Sequence, residues 1–337
     1  MIPFSAQLAL DYRDAARDPA LLHNLSAVAV AGRFLWTASD EGRSIECLEP
    51  DGDGYRLRRQ YRLDSLFPNL PGKKSDDEAD IEALAVCDDS LWICGSHCWV
   101  RKKTESPSLL SDEIVERPSR HLLGRVKLVE EGGRIADFGQ VLSFTGPGSL
   151  REALAKNAFL KPFLELPSKE NGLDIEGMAV APDGRVFFGL RGPLFDSYAV
   201  VVAAEIEVKK KQRLQIKKRS VVLHFLDLGG LGVRDLTRFG DEMFVLAGPV
   251  SSAPAPFRIY RWKPQEPTYV QRPVMMHEWA YSWGTSAPTQ EGPENPEGLC
   301  LLDRGRLGLI VLFDSPRLAR IEGTRYFADW APIPERD

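Results

Sequence analysis

Nothing in this sequence points to a membrane or to a disulfide framework. Nowhere do about eighteen apolar residues run without interruption, and Met1 to Asp14 lacks a basic start followed by a sustained apolar stretch, so neither a membrane span nor a signal peptide is predicted. Cysteine is scarce and odd in number: Cys47, Cys87, Cys94, Cys98 and Cys300 have no framework spacing, and three sit in apolar strand-like runs. Buried free thiols in a reducing, cytoplasmic setting are expected. There is no excess of positive charge, because 43 Lys and Arg stand against 48 Asp and Glu for a net charge of −5, which argues against non-specific nucleic-acid binding. Also missing are a Gly-x-Ser-x-Gly elbow, a P-loop and a dinucleotide fingerprint, so serine-hydrolase and nucleotide chemistry through those motifs has no support.

What the chain does have is turn residues and a repeat. With 28 Gly, 24 Pro and 43% hydrophobic residues among 337, the composition suits a large core cut up by many turns. Asp80-Ile-Glu-Ala-Leu-Ala-Val86, Asp174-Ile-Glu-Gly-Met-Ala-Val180 and Asn295-Pro-Glu-Gly-Leu-Cys-Leu301 share one pattern: Asp or Asn, an apolar residue, Glu, a small residue and a short apolar run. Asn24-Leu-Ser-Ala-Val-Ala-Val30 and Gly232-Val-Arg-Asp-Leu-Thr-Arg238 fit the same frame, with Ser26 and Arg234 in the place of the glutamate. After a short polar turn each copy meets a second apolar run: Phe34 to Ala38, Leu91 to Cys94, Val186 to Leu190, Met243 to Ala247 and Leu307 to Phe313. A tight hairpin thus opens every repeat, and further strand-like runs, such as Leu122 to Val129, Tyr198 to Val208 and Ser220 to Leu228, complete most units. Four antiparallel strands per unit make a propeller blade.

The predicted fold is therefore all-β, a single β-propeller domain over 1–337 with inner strands near 24–30, 80–86, 174–180, 232–238 and 295–301. The repeat counts five blades, with six as the alternative, because positions 26, 82, 176, 234 and 297 are spaced by 56, 94, 58 and 63 residues. Insertions at 101–120 and 149–172 account for the long interval as well as a degenerate blade would. A helix is predicted from Ser149 to Leu160, outside the blades, opened by the capping-box pair Ser149 and Glu152. Phe4 to Tyr12 is expected to pair with the last blade and close the ring. The run 209–219, basic at seven of eleven positions, reads as a solvated hairpin tip, with docking of an acidic partner as the other reading. The charged stretch Lys73 to Asp80 leads directly into the motif containing Glu82.

Because hairpins are antiparallel, whatever begins the first strand and whatever follows the second gather at one mouth. That places Asp80, Glu82, Asp174, Glu176, Arg234, Asp235, Asn295 and Glu297 with Asp40, Glu41, Ser96, His97, Arg191, the Gly248-Pro249 turn and Asp314. Charges near a propeller axis need partners. Two readings stand side by side: the glutamates latch the ring through backbone amides or Arg191 and Arg234, or Glu82, Glu176 and Glu297 hold a hard divalent cation (Ca²⁺, Mn²⁺ or Mg²⁺). In the second, the arginines orient a small anionic phosphoester or lactone, and Asp40, His97 or a metal-bound water is the general base. Three carboxylates about 5 Å apart would repel by about 3 kcal/mol per pair, so an uncompensated ring is implausible. Cys94-Gly-Ser-His97-Cys98 lacks the second half of a zinc site and reads as a strand end with its loop.

The strings Gly172-Leu-Asp-Ile-Glu-Gly177, Gly189-Leu-Arg-Gly-Pro193, Gly232-Val-Arg-Asp-Leu236, Leu246-Ala-Gly-Pro249 and Asn295-Pro-Glu-Gly298 resemble the bacterial family called domain of unknown function 3616, over roughly residues 20 to 325. More distantly, the inner strands containing Glu-Gly are similar to esterase-like domains related to propeller phytases. The resemblance implies a propeller, with divalent-metal hydrolysis as an analogy. Ser26 and Arg234 depart from a full carboxylate ring, and there is no second dense acidic cluster of the kind a multi-calcium face needs. The non-enzymatic alternative is an interaction or ligand-binding propeller, in which a protein partner meets the loops 101–120 and 281–294, the latter with Trp283.

Overall fold

The computed structural model describes residues 1–4, 6–72, 78–104, 109–209, 213–251, 253–265, 269–279 and 294–334. Most of the contact segment 281–294 and residues 73–77 of the charged lead into Glu82 lie outside the described residues.

The strands follow the repeat. After β1 (Ala6–Asp11), the first unit is a meander of β2 (Leu25–Ala31), β3 (Phe34–Ser39), β4 (Ser44–Asp51) and β5 (Gly54–Arg62). The second contains β6 (Ile81–Cys87) and β7 (Ser90–Gly95). A two-stranded hairpin, β8 (Trp99–Arg101) with β9 (Ile114–Glu116), then stands apart before β10 (Leu123–Val129) returns to pair with β7; β11 (Arg134–Ile135) and β12 (Gln140–Val141) complete its outer edge. The third unit is β13 (Asp174–Val180), β14 (Arg185–Phe195) and β15 (Tyr198–Lys209), with β16 (Arg213–Ile216) and β17 (Val222–Leu226) both on β15. The fourth is β18 (Gly232–Phe239), β19 (Glu242–Gly248), β20 (Phe257–Trp262) and β21 (Val274–Trp279). The last contains β22 (Asn295–Asp303), β23 (Leu307–Asp314), the short β24 (Ile321–Glu322) and β25 (Arg325–Pro332).

The outer strand of the last unit comes from the other end of the chain. β1 pairs antiparallel with β25, Leu8 opposite Ala328, so the sheet is finished by the N-terminus, as expected of Phe4 to Tyr12. β1 also meets β5 in a short parallel pairing, Leu10 opposite Tyr55, which ties the last unit to the first. Inside, β2 packs on β6, β6 on β13, β13 on β18, β18 on β22, and β22 back on β2. Those inner strands form a closed cycle, and the molecule is a β-propeller.

Burial follows the same cycle. Each of five hydrophobic clusters fills one wedge between neighbouring units, for example Trp36, Ile45, Leu84 and Ile93 between the first and second, and Phe244, Ile259, Leu299 and Val311 between the fourth and last. A sheet twisted on its neighbours buries both faces this way, which is why the inner strands read as near-continuous apolar runs rather than alternating ones. Inner strands approach closely at Gly177, where a Cβ would lie 2.8 Å from the Asp235 backbone. Cys47, Cys94, Cys98 and Cys300 are buried and Cys87 half-buried, all as free thiols. Among the described residues no helix is long and apolar enough to cross a membrane.

The insertion after the second unit is helical over a shorter span than predicted. Only Leu150–Leu154 is helix, opened by Ser149 Oγ accepting the Glu152 amide at 3.1 Å. The Asn157 side chain accepts the amides of Phe159 and Leu160, at 2.9 and 3.4 Å, so it redirects the backbone into turns. Leu150, Leu154 and Leu160 are buried between the second and third units, whereas Phe159 is 58% exposed. The basic run forms the β15–β16 hairpin, Lys209 opposite Arg213, with 210–212 outside the described residues.

Candidate functional site

One local irregularity builds the mouth. In all five inner strands the pairing register skips the repeat position: it jumps from Leu25 to Ala27, Ile81 to Ala83, Ile175 to Gly177, Val233 to Asp235 and Pro296 to Gly298. The residue passed over is in turn Ser26, Glu82, Glu176, Arg234 and Glu297. A bulge leaves one residue outside the ladder and re-aims its side chain. The small residue that follows in each motif, Ala or Gly in four of the copies, keeps room for that bulge beside the next strand.

The mouth is a cavity of about 870 Å³, and its walls include Asp40, Glu82, Glu176, Glu297, Arg191 and Arg234 together with Asp80, Asp174 and Asp314. At the opposite end of the axis a smaller cavity of about 230 Å³ is lined by the later residues of the same five strands, with Arg238 the one charged side chain among its lining residues. The charge is therefore concentrated at one end.

On one side of the mouth carboxylates and guanidiniums alternate. Arg191 bridges Asp174 (2.5 Å) and Glu176 (2.8 Å), Arg234 Nε lies 2.8 Å from the other oxygen of Glu176, and Arg234 Nη2 pairs with Glu297. This line crosses from the third unit through the fourth to the last. Burial pushes Asp174 up to about 6, against the opposing pull of Arg191, and Arg191 is held above the usual arginine range because the surrounding carboxylates outweigh its burial. Asp235 is a separate tie: its carboxylate accepts the amides of Leu236 (2.7 Å) and Leu299 (2.6 Å), joining β18 to β22. Ser26 Oγ donates to the Ile81 carbonyl at 2.5 Å, joining β2 to β6.

The other side is different. Asp40, Glu82 and Asp314 have no cationic partner within 4 Å among the described residues; Asp40 accepts only the Glu41 amide (2.8 Å), and Asp314 Oδ1 is buried without a hydrogen-bond partner. Burial, then the neighbouring carboxylates Asp314 and Asp80, push Asp40 up to about 8. Glu82 is pushed well above the carboxylate range by burial and then by Asp80, Glu176 and Asp40. Asp80 sits at the boundary, bonded by Arg120 Nη1 (2.8 Å) and by Ser96 Oγ.

His97, expected at the mouth, is not there. Its backbone is left-handed (φ 55°), its ring is buried and stacked on His121 at 5.6 Å, and Nε2 meets the Leu122 carbonyl at 3.2 Å. Burial, then His121 and Arg151, hold it well below the usual histidine range. Cys98 takes the place on the wall, its thiol raised to about 12 by burial. Arg120 is one of several charged wall residues the repeat could not reveal, with Arg101, Lys102, Lys103, Lys169 and Glu170; it reaches Asp80 and Glu78 (2.8 Å each) from the insertion, with no motif around it. The three glutamates do not fit a metal as they stand, since Glu176 and Glu297 are already engaged by guanidinium. Among the described residues no group of three or more His, Cys, Asp and Glu side chains is arranged to hold a metal ion.

No curated protein matches the sequence. Among solved structures, the chain is similar to glutaminyl cyclase of Myxococcus xanthus, with 7% identity, 98% of this chain and 97% of that one covered, and a TM-score of 0.46. It is also similar to the PQQ-bound aldose sugar dehydrogenase of Streptomyces coelicolor, with 10% identity, 98% and 99% covered, and a TM-score of 0.40. The family model described as "Protein of unknown function (DUF3616)" matches residues 24–329, and the chain belongs to that family.

Proposed function

We propose that this propeller is a ligand-binding protein whose mouth takes a positively charged organic group on Asp40, Glu82 and Asp314, while Arg191 and Arg234 serve with Glu176 and Glu297 as a structural latch. The observation that carries the reading is the unequal division of the mouth: one set of carboxylates is paired with arginine, whereas Asp40, Glu82 and Asp314 have no cation within 4 Å among the described residues, on an 870 Å³ cavity whose walls carry ten acidic against seven basic side chains. Carboxyls without a cationic partner are costly as ions where they are partly shielded from water, and an entering cation offsets that cost by favouring their ionised form. A small anionic substrate fits less well, because Arg191 and Arg234 are already paired with carboxylates, which leaves it Lys103 and Lys169 at the cavity wall.

A divalent-metal-dependent hydrolase acting on a phosphoester or lactone is the second reading. What favours it is that Asp40, a carboxyl pushed up to about 8 by burial and neighbouring carboxylates, lies on the cavity wall and could donate to a leaving group. Melting of chelator-treated protein separates the two. Methylammonium at saturating concentration should raise the Tm above a salt-matched control, by an amount equivalent to about 2.7 kcal/mol at a hundred times Kd, and Glu82→Gln should remove most of that rise. A rise with Ca²⁺ or Mn²⁺ and none with methylammonium would favour the hydrolase; no rise with any of them sinks the ligand-binding reading.

A further inference from the structure

The mouth continues sideways. A second cavity, of about 340 Å³, shares Lys169, Arg191, Arg234, Glu297 and Asp314 with it and runs under the loop between β19 and β20. That volume is within the range of small-ligand pockets. Its far wall is apolar apart from Ser251, with Pro249, Val250, Ala253, Pro254, Ala255 and Phe257. Gly248 stands at the doorway: a Cβ there would lie 2.5 Å from the Phe257 ring and 3.0 Å from Cγ of Arg234, so the missing side chain lets ring and arginine stem close together. The Arg234 head is fixed by Glu176 and Glu297, which keeps this doorway in place.

We propose that the side cavity is the specificity pocket for the ligand's apolar arm, and that the ligand class is an organic ammonium carrying a compact hydrophobic group. This rests on the reading of the mouth as a site for a positive group. Asp314 lines both cavities, so an ammonium held there has its substituent at the entrance of the apolar wall. Burying that substituent removes apolar surface from water on both partners and favours a hydrophobic arm over a bare cation of the same charge.

The test is calorimetric titration of phenethylammonium and methylammonium into the full chain. The expected result is at least tenfold tighter binding of phenethylammonium, with the preference falling below twofold in Ala253→Trp, which fills the pocket from its exposed loop. Ser251→Phe, on the same loop, serves if the first variant does not fold. Equal affinity of the two amines, or a preference that survives both substitutions, overturns the pocket while leaving the mouth as a cation site. Binding of neither amine overturns both.

Discussion

The two sides of the mouth are made from the same repeat and end in opposite electrostatic states. On β13, β18 and β22 the bulged residues are Glu176, Arg234 and Glu297, and they neutralise one another. On β2 and β6 the same position holds Ser26 and Glu82; the serine is turned to a backbone carbonyl and the glutamate has no partner among the described residues. One substitution in the frame, arginine for glutamate in the fourth copy, therefore converts a repulsive ring into a latch over part of its circumference. The remainder keeps the raised carboxyls Asp40 and Glu82.

The comparison is most directly broken by taking away the latch. Arg234→Ala leaves Glu176 and Glu297 buried and short of a partner, and should cost about 3–5 kcal/mol in chemical denaturation. A loss under about 1 kcal/mol would mean the latch is not structural. A matched pair sharpens the contrast: Glu297→Gln should destabilise by about 1–3 kcal/mol, since it weakens a charge-assisted bond to a buried arginine, whereas Glu82→Gln should be neutral or stabilising in ligand-free protein. If the two variants melted alike, the two sides would not differ as described.

The smallest effect is one of pH. A carboxyl raised in the folded state contributes stability that is fully present below its unfolded pKa and is lost as pH rises through the folded one. For Asp40 that window runs from about 4 to about 8, with a slope of up to about 1.4 kcal/mol per pH unit. Buried His121, lowered to about 4, acts in the opposite sense, since the unfolded chain takes up its proton first as pH falls below about 6.5. Between about pH 4 and 6.5 the two slopes oppose and largely cancel, so this pair should leave stability flat in mild acid and falling from about pH 6.5 to 8. Asp40→Asn should flatten the fall above pH 6.5 and leave the histidine slope unopposed below it, as measured by Tm from pH 5 to 9, and an unchanged alkaline slope would show that Asp40 is ionised in the folded protein.

The sequence by itself determined the units and the identity of the residues at the axis. The Asp/Asn-x-Glu-small frame and the hairpin that follows are local: a bulge needs a small neighbour and a strand needs apolar residues, and both are written within seven positions. The pairing expected of Phe4 to Tyr12 was equally legible, because an apolar strand ahead of the first repeat has an open sheet edge to cover. The helix was overextended, since apolar spacing from Ser149 to Leu160 does not register that Asn157 captures the next amides.

Only the tertiary structure decided how the axial charges are shared. Whether Arg234 answers Glu176 and Glu297 or an incoming anion depends on which inner strands become neighbours when the ring closes, and a repeat spacing carries no angle. For the same reason His97 was misplaced. Its position after the second strand put it at the mouth, but one left-handed residue turned its ring into the wedge beside His121 and gave the wall to Cys98. Side-chain direction at a strand end is set by a single backbone torsion and by what the next unit leaves room for, and neither is encoded in the residue's own neighbours.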